Sequence, residues 1–133
     1  MSVEKIQNYI GGELVDPNSG DWLDNYEPAT GQVYSQVPDS NAADIEAAVV
    51  AAESAKDGWA DMPVDERSEI LFRLADAVDE HREELVQLES RDNGKPEWLA
   101  RSVDIPRSSK NIRHFASTVI GKGSESHLSL IHI

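Results

Sequence analysis

The stretch ESRDNGKPEW, residues 89–98, decides how the second half of the chain folds. A helical pattern runs into it and another runs out of it. Gly94 can take the left-handed conformation that closes a helix. Pro96 suits the start of the next one, where a missing N–H costs nothing. The stretch therefore predicts a helix–helix corner. Asp92, just before the stop, either holds that corner or takes part in chemistry beside it.

After the corner, the spacing predicts a helix over about 96–120, with Leu99, Val103, Ile112, Phe115, Ala116 and Val119 on its apolar face. Pro106 removes a backbone donor and predicts a kink. Arg101, Arg107 and Lys110 fall on the outer, solvated face. Arg101, Arg107 and Arg113 recur every six residues, which is not a helical repeat, so they form no anion cradle; they are expected to pair with acids of the first half. Before the corner, a helix opens at Pro63 with Asp65 and Glu66 at its positive end. Ile70, Leu71, Leu74, Ala77 and Val78 make its buried stripe. The pattern hesitates at Glu80 and His81, then Leu85, Val86 and Leu88 carry it toward Gly94, as one bent helix or two consecutive ones.

Another helix begins after Ser40 or Asn41, either of which can cap it, and Asp44 sits in its first turn. Ile45, Ala48, Val49, Ala52 and Ala55 share a face that packs inside the domain or, alternatively, forms an oligomer seam. Gly58 is read as its end, followed by Trp59. Residues 6–38 read as short strands and turns. Gly11 and Gly12 centre a hairpin, since both can take positive φ. DPNSGD (16–21) and EPATG (27–31) are turns, and QVYSQVP (32–38) alternates as a half-buried strand. Trp22, Trp59 and Trp98 could stack on a ligand, but their positions favour plugging the ends of a helical core.

The chain has 133 residues, 39% hydrophobic and 28% charged, with a net charge of −13. Fourteen acids against two bases lie through Glu66, and eleven against ten from Arg67 onward. That field repels phosphate backbones and argues against nucleic acid as a partner. It reads as an acidic interaction surface or, preferably, as a surface adapted to a salty, halophilic cytoplasm; lysine numbers only five. No run of 18 apolar residues predicts a membrane span, and MSVEKIQNYIGG lacks an apolar signal core, so a cytoplasmic location is expected. The absence of cysteine excludes disulfides and a thiol nucleophile within these residues. His81, His114, His127 and His132 follow no metal-ligand spacing and are read as surface or core-edge residues.

The segments NYIGGELVDPNSG (8–20), EPATGQVYSQVP (27–38), DIEAAVVAAESA (44–55), Trp59, ERSEILFRLADAVDEHREELVQLESRDNGKP (66–96) and VDIPRSSKNIRHFA (103–116), in this order and spacing, resemble the N-terminus of the aldehyde dehydrogenase superfamily. Glu27 departs from the asparagine usual before PATG. The resemblance implies an α/β parent in which residues 1–120 form the opening part of a Rossmann-like cofactor-binding domain. This portion would be mostly helical, with short N-terminal antiparallel strands. Its helices would cover a parallel sheet formed elsewhere in the parent. The resemblance further implies oxidation of a small-molecule aldehyde to a carboxylic acid with NAD or NADP, in a homo-oligomer. A cysteine thiolate would attack the carbonyl, and a glutamate would activate water to release the acid. Cysteine, glutamate, glycine-rich cofactor segment and oxyanion-hole asparagine are expected downstream, so these residues are read as a fragment that binds no cofactor and is inactive alone. Residues 121–133, ending HLSLIHI, are read as an atypical, unrelated tail. In some relatives the aspartate matching Asp92 helps bind a monovalent cation, joined by backbone carbonyls matching Asn25 and Tyr26 and by a further carbonyl expected downstream; oxygen ligands suit such an ion. A contrasting reading is a free-standing acidic helical module that binds other proteins.

Overall fold

A computed structural model describes residues 3–121. The tail from residue 122, with His127 and His132, lies outside the described residues. Five strands precede the helices: β1 (Glu4–Lys5), β2 (Asn8–Ile10), β3 (Glu13–Val15), β4 (Trp22–Glu27) and β5 (Gln32–Pro38). Gly11 and Gly12 take φ of 64° and 90°, so β2 and β3 close as the predicted hairpin. β4 and β5 pair antiparallel, and β1, which the sequence reading missed, adds to β5 in parallel. Two residues carry too little periodicity to announce a strand.

The helix α1 (Ala42–Asp61) is capped by Asn41, whose side chain accepts from Ala43 N at 2.8 Å. Asp44 answers from inside, accepting from Asn41 N, also at 2.8 Å, to complete a capping box. Its other oxygen accepts from Asn18 N, tying the cap to the turn before β4. Gly58 does not end α1. Its backbone stays right-handed, and the helix continues to Asp61. Pro63 sets the real stop, because it pushes Met62 out of the helical region to ψ 135°. The apolar face of α1 is not packed inside the domain: Ile45, Val49 and Val50 remain 63%, 50% and 57% exposed, and among its alanines only Ala51 is half-buried.

Of the two readings at Glu80–His81, the structure takes the second. α2 (Val64–Glu80) and α3 (Arg82–Asn93) are separate helices, parted at His81 with φ −91° and ψ 16°. The predicted stripe on α2 holds in part: Ile70, Leu71 and Val78 are half-buried, and Val78 packs on the core. Leu74 is 50% exposed and Ala77 faces solvent, whereas Ser68 and Ala75 are buried. They meet Ser109 and Ala116 on α5 (Ile105–Gly121), also buried. Each pair is seven residues apart, so small side chains recur every two turns on both helices and let the backbones approach closely. Ser68 Oγ donates to the Ala116 carbonyl across the seam at 2.9 Å. Arg113 closes the outside of the seam on Asp76 and Asp79.

The corner forms as read. Gly94 has φ 75°, and its N–H donates to the Ser90 carbonyl. A Cβ here would lie 2.9 Å from Pro28 Cβ, so the glycine also admits the 27–31 turn against the corner. Lys95 locks it further, reaching Glu89 at 2.8 Å and Asp104 at 2.7 Å. Beyond Pro96 the helix is not continuous. A short α4 (Glu97–Leu99) leads into a wide π-helical turn (Ala100–Asp104) and then α5. The Ile105 N–H bonds back five residues to the Ala100 carbonyl. The next such bond would need an N–H on residue 106, a proline, so the Arg101 carbonyl is left over; Arg82 Nη2 donates to it at 2.7 Å. Pro106 thus widens the turn ahead of it.

Val86, Ala100 and Ile105 form the buried core, with Val78 and Leu85 packed on it. Several expected side chains are not in it: Phe115 is 67% exposed, and Val103 and Val119 face outward. Trp59 and Trp98 are exposed and plug nothing, while Trp22 lies under Lys5 Nζ at 4.3 Å. Two of the three arginines pair locally, not with the first half: Arg101 binds Glu83 and Glu97, and Arg113 binds Asp76 and Asp79. Coulomb attraction rewards neighbours within a few ångström, not a distant acidic half.

The seam sets a clear contrast between neighbours. Ala75→Leu, overfilling it, should destabilise the chain by about 1–3 kcal/mol. Leu74→Ala, on the exposed side, should cost clearly less. Urea unfolding followed by circular dichroism measures both.

Candidate functional site

Asp92 stands in the last turn of α3, two residues before the corner glycine Gly94. The β4–β5 ladder passes beside it. Asn25 faces Ser35 in that ladder, but Tyr26 faces Val33, so Tyr34 is an extra residue in β5. Such a bulge breaks the two-residue alternation and re-aims a side chain. Here it directs the Tyr34 hydroxyl to Asp92 Oδ1 at 2.6 Å. Asn25 Nδ2 donates to the same oxygen at 3.0 Å. That nitrogen also lies 3.0 Å from the Tyr34 oxygen and 3.2 Å from Ser35 Oγ, so two hydrogens serve three acceptors. The Arg91 guanidinium stacks on the Tyr34 ring at 4.3 Å and leans toward Glu27 at 3.6 Å.

These contacts fix the electrostatics. The Tyr34 hydroxyl, and after it the Asn25 amide, hold the Asp92 carboxyl below its ordinary value. The same bond to a carboxylate pushes the Tyr34 phenol up. Asp92 is therefore the ionised acceptor and Tyr34 the neutral donor. A cleft of about 490 Å³ opens beside them, bordered by Asn25, Tyr34, Leu85, Leu88, Asp92 and Ile105; Glu4 and Glu89 also line it.

Of the residues matched to a cation site, Asn25 and Asp92 are brought into direct contact. Tyr26 keeps its place in the ladder opposite Val33, with its side chain half-exposed. The donor set, a carboxylate with backbone carbonyls beside it, is of the kind that suits a monovalent ion. Both donors land on Oδ1, and among the described residues Oδ2 accepts no hydrogen bond. The strands lose regular register at Asn25–Tyr26, the pair whose carbonyls match the cation ligands of the family pattern. Among the described residues no three His, Asp or Glu side chains gather to hold a metal. His81 contacts Glu84 at 3.0 Å, and His114 meets Phe115 edge-on.

Sequence reasoning missed Tyr34, Ser35 and Arg91. One signal was available. Val33, Ser35 and Val37 fall on one face by alternation, and a serine between two inward valines needs a polar partner. Ser35 is fully buried, and Asn25 is that partner. The bulge that aims Tyr34 left no such trace.

The lowered Asp92 value fixes the sign of a pH effect. The pairing stabilises the folded chain above the ordinary carboxylate value of about 3.9 and is lost as pH falls through the lower native one. Thermal unfolding midpoints of the unsubstituted chain should therefore drop more steeply on acidification below about pH 5 than those of Asp92→Asn.

The aldehyde dehydrogenase family profile matches residues 14–128. The chain is 46% identical to bovine (Bos taurus) 2-aminomuconic semialdehyde dehydrogenase over 131 residues, which is 96% of this chain and 26% of that protein. It superposes on aldehyde dehydrogenase from Bacillus cereus with a TM-score of 0.86 and 41% identity, covering 96% of this chain and 26% of that one. An NAD+ complex of aldehyde dehydrogenase from that organism matches at a TM-score of 0.81 and 44% identity, over 86% of this chain and 24% of that one. The chain thus spans about a quarter of the length of the relatives it matches. With the glycine corner, the bulged strand pair and the helical order in place, sequence and fold agree: the chain belongs to the aldehyde dehydrogenase family.

Proposed function

We propose that the chain is the opening portion of an NAD(P)-dependent aldehyde dehydrogenase, which oxidises an aldehyde to a carboxylic acid. Residues 1–120 serve it as part of the cofactor-binding domain. The observation that carries this reading is the match over nearly the whole chain to only a quarter of each relative, while Ile45, Val49, Val50 and Phe115 stay exposed. Apolar helix faces of that size need a cover, and the remaining three quarters of the subunit supply it. The NAD+ complex of a structural relative supports a nicotinamide cofactor. These 133 residues contain neither a cysteine nor a G-x-G-x-x-G segment, so they supply neither the thiol nor that phosphate loop. Their part is to scaffold. No helix among the described residues is long and apolar enough to cross a membrane.

In the same reading, Asp92 holds a monovalent cation through Oδ2, with backbone carbonyls of Asn25 and Tyr26 as further ligands. The free carboxylate oxygen and the broken ladder support it. The ion would brace the strand pair against α3 and take no part in the redox step. The net charge of −13 with five lysines supports a setting of high salt, where screening makes dense like charge tolerable.

Two outcomes test the assignment. The chain alone should form no NADH from aldehyde and NAD+, since it lacks the nucleophile. A chimera in which residues 1–120 replace the matching part of the Bacillus cereus enzyme should turn over; a chimera that folds but stays inactive would count against the assignment. Val49→Lys should change the stability of the isolated chain by less than about 0.5 kcal/mol, because the site is exposed. The same substitution in the chimera should block assembly, seen by size-exclusion chromatography.

A further inference from the structure

We infer that Tyr34 is a positioning residue that turns the Asp92 carboxylate so that one oxygen, Oδ2, is presented to a cation. The inference rests on the cation reading above and deepens it. An aspartate carboxylate rotates broadly about its last torsion, and either oxygen can face a ligand. Here both donors land on one of them. Tyr34 reaches Oδ1 at 2.6 Å, a length typical of a charge-assisted bond, and Asn25 reaches it at 3.0 Å. Two donors arriving from neighbouring strands leave the group one orientation.

Tyr34 is itself held. It occupies the extra position of the β5 bulge, so regular alternation does not set its direction. Arg91, the residue before Asp92, covers its ring at 4.3 Å. Donor and acceptor are thus fastened to each other twice, once through the hydroxyl and once through the adjacent arginine. Asn25 has two tasks in this arrangement, a side-chain bond to Oδ1 and a backbone ligand. Tyr34 has only the first. The cleft beside the three residues gives an ion access; Arg91 lines it too, but its guanidinium is engaged by the Tyr34 ring and Glu27.

Tyr34→Phe removes the hydroxyl and keeps a ring for Arg91 to cover. The readout is the potassium-dependent rise in the thermal midpoint of the full chain, above the midpoint in equal choline chloride, which screens charge without ligating. The unsubstituted chain should show a saturable rise and Asp92→Asn none. Tyr34→Phe should need about 10-fold more potassium for the same rise, as for other groups that orient a ligand. A merely structural role would lower the midpoint equally in both salts and leave the potassium dependence unchanged, which would overturn the inference. An unsubstituted chain without a potassium-specific rise would overturn the cation reading as well. Should Tyr34→Phe not fold, the unsubstituted chain still decides. Potassium should perturb its tyrosine near-ultraviolet absorbance, and Asp92→Asn should abolish the effect; an unperturbed spectrum counts against Tyr34.

Discussion

The contact between Gly94 and Pro28 is the constraint on which the rest depends. Gly94 must turn left-handed to end α3, and it must be bare because Pro28 occupies the space a Cβ would fill, 2.9 Å away. One residue therefore satisfies a backbone requirement and a packing requirement together. The second brings the 27–31 turn, and with it β4 and β5, against the end of α3. Asp92 then falls beside Asn25 and Tyr34. Lys95 adds a charge clasp, its ammonium held above its usual value by Asp104 and then Glu89.

How far the chain's architecture could be read in advance follows from the range of the forces involved. The Gly11–Gly12 hairpin, the Asn41 cap, the stop at Gly94 and the break at His81 are local events, decided within four or five residues. Such signals survive in a single sequence. The α2–α5 seam depends on which small side chains two helices, some forty residues apart, offer each other. The hydrophobic pattern pointed to Leu74, and the close approach selected Ser68 and Ala75 instead. Gly58 misled for a related reason, since a glycine permits a stop and does not impose one; Pro63 imposed it through Met62.

The site shows the same division. Asp92, Asn25 and Tyr26 came from resemblance to a family pattern, and the first two do meet. Tyr34 and Arg91 could not be found that way, because a bulge and a ring-stacking contact are made only when strands and helix are assembled. The exposed faces of α1 and α5 carry the complementary lesson. Their apolar periodicity was genuine, yet within these residues little covers it. Amphipathicity tells that a helix is to be covered, not by which part of a protein.

The π-helical turn at Ala100–Asp104 acts as a phase shifter. It inserts one residue's worth of rotation between α4 and α5, about 100°. Everything downstream inherits that angle, including the direction in which Ser109 and Ala116 look. Were the same residues an unbroken α-helix from Pro96, Ser109 and Ala116 would lie about 100° around the axis from where they meet α2. Register between distant helices is thus encoded in one surplus backbone unit, and proline 106 with arginine 82 keeps that unit from being absorbed.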